Sequence, residues 1–251
     1  MFNLVKKEWR ESIFSMKALF WMFGITLILS GMSLSFISVK ELGLMAQSEI
    51  LVTMVKIIVG IALLITILLS SISLSVEREQ ATLESIMLTP TSKKTIILSK
   101  FVNSLLIWFV IFLITIPYIV ALGYGSGLIW TTLLVIFVLG TLIVSLFSIL
   151  SLSISILVTS SKNGIILSIL FLLLSAIPLF LSTTMKATGI GKVIDTVSPL
   201  SNLISLSKDV LIRHIALSGL WIYILPMLLL LAIVTVGFFY SISKLSFEEG
   251  R

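Results

Sequence analysis

Apolar residues along this chain fall into six long blocks separated by shorter polar stretches. The blocks are Ala18–Val39, Ile50–Ser75, Ile97–Leu122, Leu128–Val158, Gly164–Ser182 and Gly219–Ile242. A helix needs about 20 predominantly apolar residues to cross a bilayer, and each block approaches or exceeds that length. Each therefore predicts a membrane-spanning helix, and the fold class is an all-α membrane protein forming one transmembrane domain over 1–251. The fourth block is longer than a crossing requires, so it tilts or projects beyond the bilayer. Between the third and fourth blocks the chain must turn tightly at Gly123–Gly127, where glycine supplies the backbone freedom.

Ahead of the first block the pattern changes. Within Met1–Lys17, residues Phe2, Val5, Trp9, Ile13 and Met16 recur at helical spacing and share one face, with Lys6, Lys7, Arg10 and Glu11 elsewhere. Such a helix lies in the interface plane with its apolar stripe in lipid, and Trp9 suits the headgroup level. The apolar run that follows exceeds the roughly 7–15 residues of a signal-peptide core and has no small-x-small cleavage site after it, so it reads as a retained first span.

Two connections are long. One, over 76–96, joins the second and third spans. The other, over 183–218, joins the fifth and sixth. In the latter, Leu200, Leu203, Ile204, Val210 and Leu211 follow Pro199 as an amphipathic helix expected to rest on the outer membrane surface.

Composition sharpens this picture. Charged residues are 11% and hydrophobic residues 58% of the 251-residue chain, against about 25% and 45–50% in ordinary soluble domains. The net charge of +6 raises nucleic acid as a partner. In a membrane chain, however, Lys and Arg gather at the cytoplasmic ends of spans and face anionic lipid, and no basic stretch here fits nucleic acid. With both termini inside, the 17 basic residues divide 11 inside to 6 outside, which places the termini in the cytoplasm. There is no cysteine and only one histidine, His214, so disulfides, thiolate metal sites and a histidine cluster are excluded.

Ion-coupled transporters and intramembrane enzymes place ionisable groups inside spans. These spans read as nearly free of charge, with Lys56 the exception, close enough to the outer end of the second span to snorkel. No nucleophile–base pair, proton relay or redox ligand set is visible. Gly189-Ile190-Gly191-Lys192 lacks the spacing, the following Ser/Thr and the preceding strand of a phosphate loop. The chain is therefore not read as an enzyme, and energy for any uphill transport enters from outside it. Ser145, Ser148, Ser151 and Ser155 share one arc of the fourth span, and Ser70, Ser71, Ser73 and Ser75 cluster at the inner end of the second. Close helix packing is the favoured reading, and a mildly polar translocation path the alternative, with Ser70, Ser73, Ser145, Ser148, Ser151 and Ser155 as its candidates. Pro117, Pro178 and Pro226 predict kinks.

The richest stretch is the 76–96 connection. Leu83, Ile86 and Met87 form the stripe of a short amphipathic helix. Glu77 and Glu79 sit near its start, where the helix dipole favours negative charge, and Pro90 ends it. Ser92 is placed to cap the next helix, whose first turn carries Lys93 and Lys94 against the dipole.

This stretch resembles the cytoplasmic loop of type-2 ABC exporter permeases. That loop runs Glu, a basic residue, Glu, then Gly-Thr-Leu-Glu, a hydrophobic helix and finally Pro-x-Ser. Glu77, Arg78, Glu79, Thr82, Leu83, Glu84, Pro90 and Ser92 match, and Ala81 replaces the glycine. The likeness extends over the whole chain: an interfacial N-terminal helix, six spans, a cytoplasmic coupling helix, a short turn between the third and fourth spans and outer helices before the sixth. It implies a multi-pass permease of a prokaryotic plasma membrane that works with two copies of a separate ABC ATPase and a second permease, either identical or a close relative. ATP and Mg would bind the ATPase, and this chain would hold no cofactor. In the coupling helix the resemblance implies that Glu77, Glu79 and Glu84 offer charge to the ATPase and that Leu83 and Met87, with Leu88 beside them, fill its groove. Lys93 and Lys94 would fix the loop at the membrane surface. Spans without a polar cage disfavour a small ion as cargo, so the expected substrate is an apolar or amphipathic peptide, drug or lipid-like molecule moved outward. The rival readings are a passive immunity or scaffold protein that binds a toxic peptide, and an intramembrane lipid enzyme.

Overall fold

A computed structural model describes residues 8–10, 12–13, 15–38, 44–80, 92–158, 160–215 and 219–243. All regular structure among them is helical: α1 (Met16–Ile37), α2 (Leu44–Ile72), α3 (Ser75–Glu79), α4 (Lys93–Gly123), α5 (Ile129–Leu157), α6 (Ser161–Phe180), α7 (Thr183–Lys186), α8 (Gly189–Val197), α9 (Pro199–Leu211) and α10 (Trp221–Ser243). Six stretches are long and apolar enough to cross a membrane, at 18–37, 47–77, 93–123, 129–157, 161–180 and 221–243. They correspond one to one with the six apolar blocks, and the chain is a multi-pass membrane protein.

The bundle is built around α2 and α5. In their most apolar windows 67% and 61% of residues are buried, against 17%, 22% and 11% in α1, α6 and α10, which sets those three at the periphery. α5 packs on α2, α4, α6, α9 and α10, whereas α1 packs on α4. The main core joins Leu51, Met54, Ile58, Trp108, Ile136 and Phe147, among others. Apolar contact alone drives little association between helices in lipid, where close approach and hydrogen bonds matter more. Both devices occur. Gly140 on α5 lies directly beneath the Trp108 indole of α4, where any Cβ would overlap the ring. Trp108 Nε1 donates to Thr141 Oγ1 at 2.9 Å. Further along α4, the Tyr118 hydroxyl lies 3.0 Å from Ser30 Oγ and donates to Thr26 O of α1 at 3.2 Å.

The turn between α4 and α5 uses positive φ at Gly125 (86°) and Gly127 (70°), as expected of a glycine-rich joint. α4, α6 and α10 run on through Pro117, Pro178 and Pro226.

The 183–218 connection differs from its expected form. Its described residues form α7, α8 and α9, and α9 does not lie on a surface with one face open. α9 packs against α2, α5, α6 and α10 together, and among its residues only Lys208 is exposed. The cause is its second, polar face. Asp209 is buried and accepts from Tyr223 Oη of α10 at 2.7 Å and from Arg213 Nη1 at 2.9 Å. Asn202 Nδ2 donates to Thr196 O at 2.8 Å. Ser198 caps the helix through Ser201 N at 3.2 Å, and its hydroxyl donates to Ser175 O of α6 at 2.6 Å. Hydrogen-bonded in this way, polar residues are buried without the penalty of lone polar groups, so α9 plugs that end of the bundle.

Gly140→Ala should destabilise the chain by about 1–3 kcal/mol through overpacking, read as a lower unfolding midpoint in detergent. Gly60→Ala in α2, where a Cβ meets nothing within 4 Å, should leave the midpoint unchanged or raise it.

Candidate functional site

At the opposite end of the bundle α2 stops at Ile72 and the chain turns through Ser73 and Leu74 into α3. The turn is held by α5: Ser155 Oγ accepts from the backbone N–H groups of Leu74 and Ser75, both at 3.2 Å. α3 delivers two carboxylates to different neighbours.

Glu77 turns inward. Lys100, on the second turn of α4, is 8% exposed. Its ammonium donates to Glu77 Oε1 at 2.6 Å and to Ser73 O at 3.2 Å, and lies 3.5 Å from Glu8 Oε1. Removing an ammonium from water costs several kcal/mol, so its burial requires close, hydrogen-bonded counter-charge. Glu8 is itself under strain from burial, which pushes its carboxyl pKa up. The Lys100 charge pulls it down and the neighbouring Glu77 pushes it further up. Ser12 extends the contact by accepting from Asn103 Nδ2 at 2.9 Å. Residues 8 and 12 thus lie on the flank of α4.

Glu79 turns outward onto α6. Its Oε1 accepts from Ser161 N at 2.7 Å and its Oε2 from Ser161 Oγ at 2.8 Å. Ser160 makes no side-chain cap for this helix. Glu79 supplies the missing acceptor and places negative charge at the positive end of the dipole. The backbone N–H of Ser161, aided by its hydroxyl, holds the Glu79 carboxyl below the usual carboxylate range. Nearby, Gly164 brings α6 so close to α2 that a Cβ would lie 3.1 Å from Ser71 O.

These placements modify the sequence expectations. Lys100 is a charge buried within a span, so Lys56, half-buried on α2, is not the lone exception. Glu77 and Glu79, expected to offer charge to a partner, are engaged within the chain. Arg78 is a residue of α3. Thr82, Leu83, Glu84, Met87, Leu88 and Pro90, and with them the expected coupling helix, lie outside the described residues. So does most of the expected interfacial helix, of which residues 8–10 and 12–13 are helical. Ser92 does cap α4, through Thr95 N at 3.2 Å, and Lys93 is its first residue.

The serines divide. Ser148, Ser151 and Ser155 are wholly buried and Ser70 nearly so. Ser145 Oγ donates to Leu142 O within α5, and Ser73 Oγ, in the turn after α2, donates to Ser70 O. Ser155 joins α5 to the turn after α2, which is the packing role. Within one copy of the chain, Ser148 and Ser151 lie inside the bundle.

Sequence reasoning missed Glu8, Ser12, Lys100 and Asn103. Lys100 carried a usable signal, since it falls inside the third apolar block, where a charge demands a partner. No group of three or more His, Cys, Asp or Glu side chains suited to a metal occurs among the described residues. Neither a protein-family model nor a curated protein matches the chain. The functional reading therefore rests on the loop pattern and on this geometry.

Lys100→Met should cost about 1–3 kcal/mol by leaving two half-buried carboxylates without their cation, and adding Glu77→Gln should recover part of that loss, as read from detergent unfolding midpoints. For Glu79, the lowered folded pKa fixes the sign of the pH effect. Its contribution is complete above the unfolded value of about 4.3 and lost as pH falls through the folded value. The midpoint difference between wild type and Glu79→Gln should stay constant from about pH 8 to 5 and vanish well below pH 4.

Proposed function

We propose that this chain is the membrane subunit of an ATP-driven exporter, resembling type-2 ABC permeases, and that a separate ATPase docks on the 81–91 stretch. The observation that carries this reading is the anchoring of that stretch at both ends. On one side Glu77 is bonded to α4 and Glu79 to α6. On the other, Ser92 caps α4 directly. A force applied to residues between them would reach α2, α4 and α6 together, as a loop that couples nucleotide hydrolysis to helix movement requires. The matching loop residues, from Glu77 through Ser92, support the same reading.

On this account the chain performs no covalent chemistry. Two copies, or one with a close relative, would assemble with two ATPase subunits in a prokaryotic plasma membrane, both termini in the cytoplasm. The α1, α6 and α10 faces are largely apolar and open, and would meet lipid or the second copy. The cargo is an apolar or amphipathic molecule such as a peptide, drug or lipid.

Mild-detergent capture of the tagged chain from native membranes tests the proposal. An ATPase should co-purify with wild type and be lost with a Leu83→Asp, Met87→Asp variant. A folded, abundant chain that brings down no ATPase would favour the passive immunity or scaffold protein instead.

A further inference from the structure

Where α2 and α4 meet the N-terminal residues, the structure leaves a cavity of about 200 Å³, walled in part by Glu8, Ser12, Ser70, Glu77, Lys100 and Asn103. A narrower slot of about 30 Å³ between α1, α2 and α4 shares Ser12, Leu69 and Ile107 with it and is otherwise apolar. The cavity exceeds the roughly 30 Å³ share of one water several-fold. Its chemistry is one-sided. Asn103 spends its amide N–H on Ser12, and its Oδ1 is buried with no hydrogen-bond partner. Ser70, 3% exposed, has a buried hydroxyl that is likewise unpartnered. Among the described residues of the wall, two carboxylates face one ammonium, and that ammonium sits close to Glu77 at 2.6 Å but 3.5 Å from Glu8.

A ligand that suits this wall brings hydrogen-bond donors and a positive charge. Water supplies the donors without the charge. A primary ammonium supplies three donors and the charge at once, and the adjoining apolar slot suits the first methylenes of an attached chain. We propose that the cavity binds the protonated primary amine of an amphiphile, held by Glu8, Asn103 Oδ1 and Ser70, with the start of its hydrocarbon chain between α1, α2 and α4. The amine would come either from a free alkylamine-like molecule or from the headgroup of a membrane lipid. Burial raises the Glu8 carboxyl pKa by more than the Lys100 charge lowers it. The site stands whether or not the chain is a transporter.

The test is equilibrium binding of radiolabelled dodecylamine to the full-length chain in phosphatidylcholine nanodiscs, beside dodecanol as an uncharged control of equal chain length. The expected result is saturable binding of the amine at one per chain, with no saturable binding of the alcohol. Glu8→Gln removes the charge while keeping the shape, and should weaken amine binding by about tenfold or more, the factor that accompanies loss of one charge-assisted contact. Ser70→Leu fills the cavity without touching a charge and should abolish binding while the unfolding midpoint holds. Replacing part of the phosphatidylcholine by phosphatidylethanolamine separates the two sources. Competition with dodecylamine assigns the site to a resident lipid, and its absence assigns it to a free amphiphile. Dodecylamine binding that is non-saturable, or equal in wild type and both variants, would mean that the cavity holds water only and would overturn the proposal.

Discussion

A lysine ammonium buried at the end of a membrane helix is tolerable only where counter-charge comes to it, and Lys100 draws that charge from two directions. Glu77 reaches it from the segment that follows α2, and Glu8 reaches it from the N-terminal residues. The need to neutralise one buried cation therefore fixes the relative positions of α2, α4 and the residues around Glu8. Because α3 must present Glu77 to α4, it holds Glu79 toward the start of α6, where Ser161 provides a pair of donors. The Ser155 hydroxyl of α5 secures the turn that makes this geometry possible. Four spans are thus joined within a few residues at one end of the bundle, through buried bonds at Lys100 and Ser155 and an exposed one between Glu79 and Ser161.

The other end is closed by different means. α9 enters among four helices because its buried side chains are satisfied locally: Asp209 by Tyr223 and Arg213, Ser198 by Ser175, and Asn202 by Thr196. Between the two ends the helices meet through shape, most closely where Gly140 admits the Trp108 indole. A bundle joined firmly at both ends and packed by shape between them can move helices as rigid bodies.

The span pattern was legible in the sequence because the bilayer imposes a length and a hydropathy that each apolar block displays without reference to its neighbours. The Ser92 cap and the glycine turn were legible because they are local. The roles of Glu77 and Glu79 were not. A charged triplet reads the same whether its carboxylates face a partner or bend back onto the chain, and the deciding residues, Lys100 and Ser161, lie 23 and 82 positions away. The α9 plug was misplaced for a related reason. Its apolar stripe announced one buried face, while the burial of the other depends on Tyr223 and Ser175, which periodicity does not reveal. Glu8 escaped notice because an isolated polar residue on an amphipathic helix is ordinarily solvated, and Asn103 because a lone amide within a span reads as a helix-packing contact.

If an ATPase drives the chain as proposed, the segment leading into the 81–91 stretch and the start of α6 move as one body when it acts. The absence of native cysteine makes spin labelling direct. With labels at the exposed positions Gln80 and Lys162, pulsed electron resonance on the ATPase-bound chain would measure their separation with and without nucleotide. A second sample, labelled at Lys162 alone, would report the distance between copies. Nucleotide should change the Lys162–Lys162 distance and leave the Gln80–Lys162 distance unaltered. A Gln80–Lys162 distance that shifts while the Lys162 pair stays fixed would contradict it.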